Sequence, residues 1–154
     1  MEIANSTCVL VTDGRKSLFF RNLGDEKFPR LGLLRSWEDD NPADREQRTG
    51  PPGRTFASML AGAGRSAKAE TDFHEEEEAR FTARMADFLR AQALAHEIGD
   101  LIVVAPPRTL GLLRKHYHEA VKRRIVAEIG KDLVKHPVSE IERLIGRTQT
   151  PKMV

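Results

Sequence analysis

Gly62-Ala63-Gly64-Arg65-Ser66-Ala67-Lys68 is the stretch whose residue types best suit a ligand. Gly62 and Gly64 let the backbone turn tightly and approach a partner closely. Arg65 and Lys68 add positive charge, and a guanidinium matches the geometry of a phosphate. Ser66 adds a hydroxyl. The stretch is not a P-loop, because no Gly-Lys-Ser/Thr follows a strand. Arg45, Arg48 and Arg54 lie upstream, among Pro42, Pro51, Pro52, Gly50 and Gly53. The chemistry these residues offer is binding to a polyanion through phosphate contacts, sequence-independent and salt-sensitive. A flexible linker has a similar composition and is the alternative.

Other constellations are weaker. His74-Glu75-Glu76-Glu77-Glu78 has a His and a Glu at i and i+4, but the zincin pattern needs a second His where Glu78 stands. A solvated first helical turn explains the same residues, because acids favour a helix N-terminus. His116 and His118 are two apart and face different sides of a helix. Ser58 and Ser66 have no nucleophile-elbow motif around them. Cys8, beside Val9, reads as a buried and inert thiol. Asp13 and Asp132 each follow a strand, where turn and capping roles are commoner than Mg²⁺ binding. No catalytic set, metal site or cofactor is therefore expected.

The elements that must position the basic stretch are legible from periodicity. Thr7 to Asp13 reads as a buried strand and Asp13-Gly14 as a hairpin turn. Lys16 to Asn22 is the returning strand and Leu31 to Trp37 a third, giving an antiparallel meander. Residues 39–70 then break every period, and a loop beyond about 12–15 residues in a compact domain is usually functional or disordered. Phe73 to His96 is the clearest helix, with Phe81, Met85, Phe88, Leu89 and Ala93 on one face. Its length would be roughly 35 Å, and Asp72 with Glu75 resembles a capping box at its start. Leu101 to Ala105 is wholly apolar and reads as a central strand covered on both faces. Pro107 can open the next helix, in which Leu110, Leu113, Tyr117 and Val121 share a face. Ile125 to Ile129 is the fifth strand and Val138 to Ile145 a last short helix. The order predicts a single α/β domain over residues 1–154. Its mixed sheet of about five strands has an antiparallel half and a parallel βαβ half.

Composition agrees with this and removes several classes. The chain has 154 residues, 40% apolar and 31% charged, enough for one domain with a hydrophobic core. Aromatics at 6% argue against an aromatic carbohydrate platform, and a single cysteine excludes an intramolecular disulfide and a multi-cysteine zinc site. No apolar run reaches the roughly 18 residues of a membrane helix. Met1 to Asn5 is polar and lacks the basic start of a secretory signal, so a cytoplasmic protein is expected. The net charge of +2 hides a strong asymmetry. Arg45 to Lys68 and Arg108 to His136 are basic, and they flank an acidic stretch from Glu70 to Asp100.

Several segments together carry a family resemblance: Val11-Thr12-Asp13-Gly14, Asn41-Pro42 to Gly50, Gly64-Arg65-Ser66-Ala67 and Thr71-Asp72-Phe73-His74. To these are added Val104-Ala105-Pro106-Pro107-Arg108-Thr109-Leu110-Gly111-Leu112-Leu113-Arg114 and Lys131-Asp132-Leu133. In this order and spacing the chain resembles the bacterial host attachment proteins. It also resembles, more distantly, the middle domain of archaeal and eukaryotic class-one release factors. There a mixed sheet carries a long loop with Gly-Gly-Gln, then a long helix and an apolar strand. Ala63-Gly64-Arg65-Ser66-Ala67 falls where that domain has Gly-Gly-Gln-Ser-Ala, so Ala63 replaces a Gly and Arg65 replaces the Gln. The resemblance implies a ribosome- or RNA-directed loop without the Gln that serves peptidyl-tRNA hydrolysis. It leaves two alternatives. One is a protein partner meeting the acidic helix, with an indirect effect on attachment; the other is a divergent hydrolase.

Overall fold

A computed structural model of the chain describes residues 6–24, 28–39 and 66–147, with 66–70 and 147 described by backbone alone. Five strands pair into one sheet, β-branched in β1 (Cys8–Thr12), β4 (Leu101–Val104) and β5 (Ile125–Ile129) and rich in Leu and aromatics in β2 (Lys16–Asn22) and β3 (Leu31–Glu38). Their order across the sheet is β3-β2-β1-β4-β5. β1 pairs antiparallel with β2, and β2 with β3. β1 and β4, and then β4 and β5, are parallel. This is the expected mixed sheet, and the α/β class stands.

The hairpin signal is also met. Gly14 sits at φ +90°, at the first central position of the turn closed by Asp13 N donating to Lys16 O at 3.1 Å. Asp13 Oδ1 accepts from Arg15 N at 2.9 Å and Lys16 N at 2.8 Å, so this carboxylate is a turn former. The Ser17 hydroxyl donates to Thr12 Oγ1 at 2.6 Å and ties the two strands beside the turn.

The helices are α1 (Ser66–Leu94), α2 (Pro107–His116), α3 (Glu119–Lys122) and α4 (Val138–Arg147). Side-chain alternation along β1 and β4 splits the core into two layers. Cys8, Leu10, Leu101 and Val103 meet Phe81, Met85 and Leu89 of α1, Leu110 and Leu113 of α2, and Val121 of α3. On the other face Val9, Val11, Ile102 and Val104 meet Ile141 and Ile145 of α4. β4 is buried along its whole length, as an apolar central strand should be. Glu142 Oε2 accepts from Leu31 N at 2.7 Å and fixes α4 to the start of β3.

Two helix boundaries differ from expectation. α1 begins at Ser66, seven residues before Phe73, and spans 29 residues or roughly 43 Å. Asp72 is therefore inside the helix and is not a cap. The run Ser-Ala-Lys-Ala-Glu from Ser66 holds no helix breaker, and its propensity carries the helix back to Ser66. The other end falls at Leu94. His96 adopts φ +60° and Glu97 N donates to Gln92 O at 2.8 Å, a Schellman-type stop made without glycine. The second difference is a break where one helix was expected to carry Leu110 through Val121. Tyr117 is extended, at φ −62° and ψ 128°. His118 caps α3, its Nδ1 accepting from Ala120 N at 3.0 Å. The apolar residues still reach one core layer, because Tyr117 packs against the same cluster as Leu113 and Val121.

Candidate nucleic-acid interface

β1, β3, β4 and β5 run in the same direction, so Thr12, Glu38, Val104 and Ile129 end at one edge of the sheet. At that edge Asp39 N donates to Arg15 O at 2.7 Å, which holds the end of β3 against the β1–β2 turn. α1 approaches the same edge. Glu78 packs so close to Gly14 that a Cβ there would lie 2.9 Å from its Cγ. Arg108, in the first turn of α2, joins the two: its Nη2 lies 3.2 Å from Glu75 Oε1 and its Nε 3.7 Å from Glu78 Oε1. α1 continues beyond Glu75 to Ser66, a helical extension of roughly 13 Å. Residues 40–65 thus connect the end of β3 to the tip of a helical stalk whose base is clamped by Arg108.

Of the predicted binding residues, Arg45, Arg48, Arg54, Gly62, Gly64 and Arg65 lie outside the described residues. Ser66 and Lys68, expected on a loop, are in the first helical turn of α1. That turn contains no acid, so the positive end of the helix dipole is not offset by a carboxylate within it. Backbone N–H groups at such an end are suited to phosphate.

The base of the stalk is charge-compensated. Arg80 Nη2 lies 3.3 Å from Glu77 Oε1, and its Nη1 4.0 Å from Glu76 Oε1. Asp39 is held above the usual carboxylate range by burial first and by the charge of Glu77 second, with Arg84, Arg15 and Arg80 opposing. Glu75 to Glu78 are thus engaged by Arg80 and Arg108. Among the described residues, no group of three or more His, Cys, Asp or Glu side chains is placed to hold a metal ion.

At the opposite edge lies a polar cavity of about 500 Å³, lined by Ser6, Thr7, Arg21, His96, Glu97, Gly99 and Asp100. Arg21 Nη2 donates to Glu97 O at 3.1 Å. Cys8 is fully buried at the neighbouring register position, and burial pushes its thiol up despite the Arg21 charge. The inert-thiol reading of Cys8 agrees with that environment.

Tyr117 makes a third polar group. Its hydroxyl donates to Glu128 Oε2 at 3.3 Å, and Glu128 Oε1 receives Arg114 Nη2 at 2.7 Å. Burial, followed by the Glu128 charge and hydrogen bond, pushes the phenol well above its ordinary value of about 10. Above that pH the unfolded chain releases a proton that the folded one retains. The stability is complete below about pH 10 and is lost as pH rises toward the folded value. Tyr117 is the sole tyrosine of the chain, so phenolate absorbance reads it directly. The native protein is expected to show almost none at pH 10, where urea-unfolded protein is half ionised. Equal titration curves would refute this.

The Arg108 clamp and the Arg21 cavity were not legible in the sequence. Each joins residues thirty or more positions apart in the chain, and no local period marks such a pairing.

A mixed sheet whose long helix rises from one edge, bearing a basic, glycine-containing segment at its N-terminal end, defines a release-factor-like α/β domain. The chain belongs to bacterial archaeo-eukaryotic release factor family 12, whose model matches residues 6–145. A stretch of 46 residues is also 39% identical to an uncharacterized protein of Rickettsia prowazekii. That match covers 30% of this chain and 31% of the relative, so the chain spans about a third of the relative's length. No helix among the described residues is long and apolar enough to cross a membrane.

Proposed function

We propose that this domain binds the ribosome or structured RNA through residues 39–70, without Gly-Gly-Gln-dependent peptidyl-tRNA hydrolysis. Family membership over residues 6–145 is the observation that carries the reading. The clamped helix supports it, because its first turn, which follows the basic segment in the chain, lies roughly 18 Å of helix beyond Glu78. In this reading Arg45, Arg48, Arg54, Arg65 and Lys68 meet phosphates, Gly62 and Gly64 shape the backbone, and Ser66 opens the helix. Ala63 and Arg65 stand where hydrolysis would call for Gly and Gln. The intact protein is expected to sediment with ribosomes at low salt and to release into the supernatant as salt rises. It is expected to liberate no peptide from peptidyl-tRNA. Absence from the ribosome pellet at every salt concentration would overturn the binding reading, and peptide release would restore the hydrolase.

A second reading is a protein-interaction or regulatory factor that affects attachment to host cells indirectly. The acids of α1 support it less than expected, because Glu75 to Glu78 face Arg80 and Arg108. What favours it is the apolar exposure of the sheet edge around β3, where Phe28 is 75% and Leu33 54% exposed. An apolar contact there would resist salt, and the sedimentation series separates the two readings.

A further inference from the structure

The basic region from Arg108 to His136 is divided by the fold into engaged and free cations. Arg108 is held by Glu75 and Glu78, and Arg114 by Glu128. Arg124 donates to Ile98 O at 2.8 Å and to Ala120 O at 2.7 Å, which fastens the start of β5. Lys115, His116, Lys122 and Arg123 are exposed and have no ion pair among the described residues. His118 is exposed beside them. These five side chains fall within nine residues, over the last turn of α2, the break at Tyr117 and the single turn of α3. Glu119 is the sole acid in that stretch.

Elsewhere the exposed cations are paired or scattered: Arg35 and Arg84 lie over aromatic rings, and Arg30, Lys131, Lys135 and Arg143 are exposed without an ion pair among the described residues. Arg80 meets Glu76 and Glu77, and Arg90 lies 3.9 Å from Asp87. A helix-dipole role accounts for Lys115 and His116, which sit at the C-terminus of α2. It accounts for less at Lys122 and Arg123, because α3 is a single turn of four residues, and it does not explain five such side chains beside one acid, Glu119. A corner with Lys115, Lys122 and Arg123 against the single acid Glu119, and with two imidazoles beside them, suits a chain of phosphates better than one bidentate carboxylate. Its position also fits. α2 starts at the Arg108 clamp and runs roughly 15 Å to this corner, so the corner and the stalk lie at opposite ends of one helix.

We propose that Lys115, His116, His118, Lys122 and Arg123 form a second RNA contact, which takes the phosphate backbone. The inference rests on the RNA-directed reading above and extends it to a described surface.

The test is fluorescence anisotropy of a labelled RNA hairpin with the full chain, titrated over salt. Replacing Lys115, Lys122 and Arg123 together by Gln is expected to lower the salt slope by about two to three units. At 0.1 M salt the affinity is expected to fall about 100-fold. A Lys115→Arg/Lys122→Arg variant, which keeps the charge, is expected to bind within about twofold of the parent. Should the triple variant fail to fold, Lys115→Gln and Lys122→Gln singly decide the matter, each lowering the slope by about one. A triple variant with the parent's slope and affinity, on a parent that binds, overturns this contact alone. A parent that binds neither the hairpin nor ribosomes overturns both this contact and the reading it rests on. Unchanged hairpin affinity with loss from ribosome pellets would assign the corner to a ribosomal protein and overturn the RNA assignment.

Discussion

Replacing Phe81 by Ala is expected to destabilise the domain by about 3–5 kcal/mol. Phe81 is 1% exposed and is followed at helical spacing by Met85, Leu89 and Ala93, all buried against the sheet. Among these four it lies nearest the stalk, three residues past Glu78. Its removal takes away both the transfer free energy of the ring and contacts that neighbouring side chains recover only in part. A domain of this size has a total stability of about 5–15 kcal/mol, so the loss is a large share of it. Urea unfolding checks the expectation: the midpoint should fall while the m-value holds. Arg90→Ala is the control. Arg90 is exposed and faces only Asp87, so a change within about 0.5 kcal/mol is expected. A Phe81→Ala midpoint equal to that of Arg90→Ala would mean that α1 is not anchored by this face.

The sequence made the apolar skeleton readable because burial there follows local periods. Leu101 to Val104 could be assigned to the middle of the sheet from composition alone, since a strand covered on both faces has no polar positions. The face of α1 was equally plain, with Phe81, Met85, Leu89 and Ala93 at spacings of four. The start of α1 was not. Asp72 and Glu75 imitate a cap, while the helix-favouring run from Ser66 extends the helix past them, and local propensity prevailed over the capping pattern. The break at Tyr117 was hidden for a related reason. Leu110, Leu113, Tyr117 and Val121 keep helical spacing across it, and only the imidazole cap at His118 marks the second start. Charge was the least legible property. Eight Lys and Arg residues between Arg108 and His136 read as one basic region, yet three of them are spent on Glu75, Glu78, Glu128 and two backbone carbonyls. Which cations remain free depends on contacts distant in sequence.

Replacing Arg45, Arg48, Arg54 and Arg65 together by Ala is expected to have the largest effect on binding. Each lost phosphate contact lowers the salt slope by roughly one unit, so the four should lower it by up to about four. Ribosome binding at 0.1 M salt would then fall by at least about a thousandfold if all four contacts form. Arg65→Ala alone should remove about one unit. Folding should be unaffected, since the described core layers gather apolar side chains and contain no arginine. The urea midpoint of the variant checks this. Arg65→Gln is the complementary probe. It restores the side chain that hydrolysis would use but leaves Ala63 in place of the first Gly of the pair. The backbone freedom of two adjacent glycines is therefore still missing, and no gain of peptide release is expected. A quadruple variant that sediments with ribosomes like the parent at every salt concentration would place the contact elsewhere. If the Lys115–Arg123 corner variant also bound like the parent, neither basic surface would carry the interaction. The exposed apolar edge at Phe28 and Leu33 would then become the leading contact, and a protein partner the leading explanation.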